Sequence, residues 1–205
     1  MVKEDKKEII LNHAERLFSE NGYDGASTRA IAKDAGVNMA MLNYYFGSKE
    51  GLYKAVFLRK FSGFYESLLQ IISSPLSSWE KITRYVDIYA DRIVKHNCFH
   101  RLMTYELSIQ QRSEMTDIIV EHLLKNINIG KTIIEEGIKE GVFRKVDPEM
   151  TIATIFGSMY YVVNLKNITS ALLNVDMHDP EVVINDIKPR IKKHLAALLE
   201  AHLKV

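Results

Sequence analysis

Ser27-Thr28-Arg29-Ala30-Ile31-Ala32-Lys33-Asp34-Ala35-Gly36-Val37-Asn38-Met39-Ala40-Met41-Leu42-Asn43-Tyr44-Tyr45-Phe46-Gly47-Ser48-Lys49 spells two short helices and the turn between them. Ser27 is an N-cap residue, whose hydroxyl can take up a free N–H of the first turn, and Ile31, Ala32 and Ala35 give the first helix an apolar face. Gly36 breaks that helix, Val37 points inward, and Asn38 caps a second helix from Met39 to Phe46. Gly47-Ser48 closes it, and Ser48 caps the helix that follows. Leu42 and Phe46 are four apart and pack inward with Val37, Ile31 and Leu17. Met39, Ala40, Asn43 and Tyr44 are left on the outer side, with no carboxylate among them. A helix, a glycine-containing turn and a second short helix have the spacing of a helix-turn-helix, whose second helix enters the major groove of DNA.

The chemistry of that outer side suits a duplex. Ala40 lets the backbone come close, Asn43 can pair with an adenine edge, and Tyr44 can reach a phosphate or a thymine methyl. Thr28 and Arg29 lie in the first turn of the preceding helix, where free N–H groups favour an anion. Lys49 opens the following helix and offers a second phosphate grip. Lys33 and the arm of Lys3, Lys6 and Lys7 are further candidates, although each could equally be a solvated surface charge.

Helical patterns continue on both sides. Ile10, Ala14, Leu17 and Phe18 mark one face of a helix over residues 6–21, which Asn21-Gly22 ends. Leu52, Val56, Phe57, Phe61, Phe64, Leu68 and Leu69 belong to a long helix running from Ser48 to Ser73, with Pro75 as the next break. Further helices are expected over 78–95, 100–108 and 112–140, with Gly141-Val142-Phe143 as a stop whose apolar residue folds back. Asp147-Pro148-Glu149 and Asp179-Pro180-Glu181 are two starts with one chemistry: Asp caps, Pro takes the first helical position, and Glu favours the positive helix end. Residues 150–173 are rich in Ile, Val, Thr and Tyr, but the start signal, the length and the lack of turn residues make them a helix. Pro189 kinks the last helix or begins a new one. The fold expected is all-α.

Composition agrees. The 205 residues are 47% hydrophobic and carry 27 Lys+Arg against 26 Asp+Glu, the balance of a globular protein with a real core. Ten Gly and four Pro leave few turns, which favours long helices. The single Cys forms no internal disulfide and fits a reducing compartment. No signal-peptide core follows the charged start, and the longest uncharged stretch, residues 150–165, is too short and too polar to span a bilayer. A cytoplasmic protein is expected. A net charge of +1 is silent about nucleic acid, so any DNA surface must be local.

The run Gly22-Tyr23-Asp24-Gly25-Ala26-Ser27-Thr28-Arg29-Ala30-Ile31-Ala32, then Ala35-Gly36-Val37, then Leu42-Asn43-Tyr44-Tyr45-Phe46-Gly47-Ser48-Lys49-Glu50-Gly51-Leu52-Tyr53, resembles the DNA-binding segment of TetR-family transcriptional regulators. The likeness covers roughly residues 6–58. Glu140-Gly141-Val142-Phe143-Arg144 and Asp147-Pro148-Glu149 resemble the family's approach to its penultimate long helix. The resemblance implies an N-terminal three-helix DNA-binding domain, residues 1–48, and a C-terminal helical domain for ligand binding and dimerisation, residues 49–205. It implies a homodimer through the last two long helices, a double-stranded palindromic operator, and repression relieved by a small-molecule inducer. Thr28, Arg29, Met39, Ala40, Asn43, Tyr44, Tyr45 and Lys49 occupy positions where such regulators touch DNA. Asn43 stands where the family usually has a phosphate-binding Tyr, and Met39-Ala40-Met41 replaces its commoner small and polar residues.

After residue 53 the chain has no nucleotide loop, no triad spacing and no paired carboxylates, so neither an enzyme nor a cofactor is expected. Tyr85, Tyr89, Phe99, Met103, Tyr105, Phe156, Met159, Tyr160 and Tyr161 recur at helical spacing, the pattern of a core. Under the resemblance, Tyr85, Tyr89, Phe99, Met103, Tyr105, Tyr160 and Asn164 are the candidate lining of an inducer cavity. His96, Cys98 and His100 fit a helix connection, and with no carboxylate to complete a site no metal is expected. Val183, Ile187, Ile191, Leu195, Leu198 and His202 form a stripe that supports a dimer, and Gly157 and Ser158 permit close helix approach. Two rivals stand beside the inducible repressor. One is a DNA-binding protein that is constitutive or controlled by a protein partner; the other is a helical-bundle enzyme.

Overall fold

The side chains read as helix caps take up backbone N–H groups in the computed structural model of the chain, which describes residues 5–109 and 112–205. Lys3, of the candidate basic arm, lies outside them. Asp5 caps α1 (Lys6–Gly25), which leaves helical geometry at Gly22. The Ser27 hydroxyl accepts from Ala30 N at 3.1 Å and starts α2 (Thr28–Asp34). Asn38 Oδ1 accepts from Met41 N at 2.8 Å and starts α3 (Met39–Phe46). Ser48 Oγ accepts from Gly51 N at 3.0 Å at the head of α4 (Lys49–Ile72). In the turn between α2 and α3, Gly36 has φ +64°, a conformation that a side chain would strain. That turn sends the Val37 N–H back to the Ala32 carbonyl at 3.0 Å.

A reciprocal Ser77–Glu80 capping box opens α5 (Ser78–Lys95). It is followed by α6 (Asn97–Ile109), α7 (Ser113–Lys139), α8 (Pro148–Asn164), α9 (Lys166–Leu173), α10 (Pro180–Val182) and α11 (Lys188–Leu203). Both Asp-Pro-Glu starts behave alike: Asp147 accepts from Met150 N and Asp179 from Glu181 N, with Pro at the first helical position. Among the described residues the only extended pairing is an isolated bridge between Phe143 and Lys204. The chain is all-α.

Two compact units result. The first combines the residues up to Phe64 with Cys98–Val120, and the second combines Tyr65–Asn97 with Glu121–Val205. In the first, Ile10, Ala14, Phe18, Ile31, Leu42, Leu52, Val56, Phe57, Phe61 and Phe99 are buried, and the Phe57 and Phe99 rings meet with centroids 4.9 Å apart. In the second, Ile82, Tyr85, Val86, Ile93, Ile133, Ile155, Met159, Ile191 and Leu195 fill the interior. There α11 packs on α5, helped by Lys188–Asp91 and Lys192–Asp87 ion pairs at 3.0 Å each.

Three features of the second unit depart from the sequence pattern. The helix expected over 150–173 breaks at Leu165 (φ −90°, ψ 53°), where the buried Thr169 hydroxyl reaches the Val162 carbonyl at 3.1 Å and satisfies it in place of the helical ladder. Ahead of Pro189 the chain widens into a π-helical turn, Val183–Ile187, and Lys188 N donates to Val183 O five residues back. The wider turn makes room for a ring that an α-helix interior rejects. The apolar stripe of the last segment runs Val183, Ile187, Ile191, Leu195, Leu199, Leu203, all buried within the chain itself. Leu198 is only half-buried and His202 is exposed, because the buried row continues from Leu195 in steps of four to Leu199 and Leu203. That stripe is core, and it does not present a surface to a second copy.

Phe143 folds back as its position implies, its N–H donating to the Gly137 carbonyl at 3.0 Å. A Cβ on Gly137 would fall 2.2 Å from the Phe143 ring. Gly137→Ala therefore overpacks a buried contact, at a cost of about 1–3 kcal/mol. A thermal scan is expected to show a melting temperature lower by several degrees, at roughly 2–4 °C per kcal/mol for a chain of this size.

Candidate nucleic-acid interface

One residue anchors the second short helix. Leu42 is completely buried, while Leu17, Val37 and Phe46 are half-buried around it. α3 packs on α2 and α2 packs on α1. With Leu42 inward, the opposite side of α3 presents Ala40, Asn43 and Tyr44 to solvent, and Met39 is half-exposed beside them. Tyr44 is 84% exposed and Tyr45 37%, with their rings edge to face at 5.3 Å. A tyrosine that stands so far from the surface, on a helix without a carboxylate, gains nothing from the fold it belongs to.

Several acidic groups nearby are already matched. Arg16 pairs with Glu20 at 3.0 Å and with Asp34 at 2.6 Å, and His13 also bonds to Asp34. Hydrogen bonds from His13 and Arg16 hold the Asp34 carboxyl below the usual carboxylate range. Arg59 engages Glu8 at 3.0 Å and Glu15 at 2.8 Å, and Lys60 engages Glu15 at 2.6 Å. Arg29 and Lys33 are exposed and form no salt bridge among the described residues. Local positive charge therefore survives beside α3 in a chain whose net charge is +1. Thr28 is half-buried at the start of α2. Lys49 is half-buried as well: its amine lies 4.5 Å from the Tyr23 ring centroid and 3.3 Å from the Asp24 carbonyl oxygen.

Sequence reasoning missed what surrounds Tyr23. Arg112 lies over the same ring at 4.3 Å, and it is clamped by Glu106, a carboxylate only 1% exposed. The signal was present, since Glu106 falls at helical spacing from Phe99 and Met103 on an apolar face. A carboxylate at such a position needs a buried partner.

The candidate effector residues divide between the units. Phe99, Met103 and Tyr105 lie in the first, where Phe99 and Met103 are core and Tyr105 is 55% exposed. Tyr85, Tyr89, Tyr160 and Asn164 lie in the second. Tyr85 and Tyr89 are buried, and burial pushes both hydroxyls up in pKa. The Tyr89 and Phe156 rings meet at 4.3 Å, and the Tyr85 hydroxyl donates to the Asn126 carbonyl at 3.1 Å. Asn164 is occupied by Asn97, whose amide donates to it at 3.1 Å, and Tyr160 is exposed on α8. Asn126, which the sequence did not single out, is buried with its side-chain oxygen unbonded among the described residues. No group of three potential metal-ligating side chains occurs among the described residues.

Two family models match the chain. One, for bacterial regulatory proteins of the tetR family, covers residues 10–56; the other, a tetracyclin repressor-like C-terminal domain, covers residues 79–185. A probable HTH-type transcriptional regulator, YttP of Bacillus subtilis (strain 168), is 31% identical over 142 residues, covering 68% of each chain. The crystal structure of HlyIIR, a hemolysin II transcriptional regulator, is 28% identical, covers 94% of this chain and 98% of its own, and superposes with a TM-score of 0.63. FadR from Bacillus subtilis, in complex with stearoyl-CoA, shares the fold at 22% identity and a TM-score of 0.68, covering 93% of this chain and 97% of its own.

Proposed function

The chain belongs to the TetR family of bacterial regulatory proteins, and from that premise we propose a homodimeric repressor of a palindromic operator, released by a small-molecule inducer. DNA-binding transcriptional regulation comes with the family. The finer reading rests first on Tyr44, whose 84% exposure on a carboxylate-free α3 supports a side turned to the major groove. In this reading Met39, Ala40, Asn43 and Tyr44 meet the groove, Asn43 reads a base edge, and Thr28, Arg29, Tyr45 and Lys49 hold the backbone on either side. Residues 1–48 serve as the DNA-binding domain and residues 49–205 as the effector and dimerisation domain, in a cytoplasmic protein.

Dimerisation is supported by α8. Its core-facing residues are Ile152, Ile155, Met159 and Val163, while Met150, Ala153, Thr154, Gly157, Tyr160 and Tyr161 form an exposed apolar and small-residue face. Exposed Ile184 and the small exposed Ala197 and Ala201 give the last segment a matching surface. Helices bearing such faces associate readily, and a two-fold axis relates two reading helices, as half-sites one DNA turn apart, about 34 Å, require. The effector is assigned to the second unit near Tyr85 and Tyr89, where the unbonded Asn126 oxygen supports a ligand with a hydrogen-bond donor. A ligand that favours the wrong helix spacing releases DNA by linkage, without touching it. Sedimentation at micromolar concentration tests the dimer: a particle of twice the 23.5 kDa chain mass is expected, and a monomer contradicts the mechanism. Stearoyl-CoA, carried by the relative of like fold, is the first probe for release of bound DNA.

A further inference from the structure

We propose that Arg112, held by Glu106, is a positioning residue for the Lys49 grip on operator phosphate, and so links the α6–α7 corner to DNA affinity. The inference rests on the assignment of Lys49 to the operator backbone and extends it. All the groups concerned lie in one compact unit.

Lysine is a long, flexible side chain, and a phosphate contact made by one loses rotamer freedom on forming. Lys49 is already gathered in: its amine sits over the Tyr23 ring at 4.5 Å and against the Asp24 carbonyl at 3.3 Å. It has no carboxylate partner among the described residues that would compete with a phosphate. Tyr23 lies in the last turn of α1, just past the break at Gly22, so its ring is fixed by its neighbours. Phe18 stacks at 6.1 Å and Tyr53 meets it edge-on at 4.9 Å. The Arg112 guanidinium lies 4.3 Å from its centroid.

Arg112 in turn is fixed by two bonds to one carboxylate, Nε to Glu106 Oε2 at 3.1 Å and a terminal nitrogen to Oε1 at 2.5 Å. The Tyr53 hydroxyl adds a third bond to Glu106 at 2.8 Å. An ion pair whose carboxylate is buried is weak evidence of stability, because desolvation offsets most of the attraction. What it fixes well is direction: a planar fork on a planar carboxylate has one geometry. Glu106 belongs to α6, and Arg112 immediately precedes α7. A shift of that corner moves the guanidinium over Tyr23, and the ring that cradles Lys49 moves with it. No group of the reading helix takes part, so the route sets backbone grip and leaves base choice alone.

The test is a double-mutant cycle on the full chain with a bound DNA duplex, read as affinity against salt concentration. Lys49→Ala should flatten the salt slope by about two per dimer, one for each copy. If it leaves the slope unchanged, the underlying assignment of Lys49 fails and the inference goes with it. Given the expected slope, Arg112→Met should weaken binding about three- to tenfold with the same selected sequence, and should add nothing in the Lys49→Ala background. Equal weakening in both backgrounds, or none in either, overturns the positioning role while sparing Lys49. Should Arg112→Met fail to fold in a thermal scan, Arg112→Lys replaces it. That variant keeps a cation near Tyr23 but loses the fork, and its effect must likewise vanish when Lys49 is absent.

Discussion

Gly157→Arg is expected to lower operator affinity by at least about 100-fold while each chain keeps its fold. Gly157 is exposed on α8, and a Cβ built there meets nothing within 4 Å, so the protomer accommodates a side chain freely. The same position lies midway along the face of Met150, Ala153, Thr154, Tyr160 and Tyr161. A second copy on that face would meet a long charged group where close helix approach is needed, and an unpaired charge there is costly to bury. Two half-sites bound by separate chains lose the effective concentration that linkage gives, a factor of roughly 10²–10⁴. Sedimentation should show a monomer and a thermal scan an intact fold. A variant that stays dimeric and binds normally would place the interface elsewhere.

Tyr44→Ala is the second large effect, and it acts without touching assembly. At 84% exposure the ring contributes little to the core, so the melting temperature should be unchanged. A good groove contact is worth about 1–3 kcal/mol, and a dimer makes it twice. The loss should therefore reach at least about 30-fold, at 1.4 kcal/mol per decade. Anisotropy of a labelled duplex at fixed salt measures it. Unchanged affinity would turn the exposed side of α3 away from DNA.

The helix-turn-helix was legible because each of its features is local. Ser27, Asn38 and Ser48 are caps, Gly36 is a turn that a side chain would strain, and Leu42 is the one inward residue that orients all the outward ones. The Asp-Pro-Glu starts were legible for the same reason. Faces were harder. The stripe expected to end in Leu198 and His202 ends on Leu199 and Leu203, since steps of three and of four from Leu195 both stay near one helix face and the pattern alone does not choose between them. The surface proposed for the dimer is the exposed face of α8 with Ile184, away from that buried stripe.

The helical domain was least legible. Aromatic residues at helical spacing look the same whether they fill a core or line a cavity, and Phe99 proved to pack between Phe57 and Phe61. Asn126 and Glu106 carried the better signal: each is a polar residue set among apolar neighbours, whose cost in the interior demands a partner. Glu106 has Tyr53 and Arg112 as partners, whereas the Asn126 oxygen has none among the described residues.

The central claim is that two outward faces of α3, related by a two-fold axis, read a symmetric duplex. In vitro selection of bound DNA from a random pool by the purified full chain tests it most directly. Enrichment of an inverted repeat, with half-site centres about ten base pairs or a multiple apart, is the result expected. A pool left unenriched after successive rounds at low salt, with binding equal on all sequences, would contradict it.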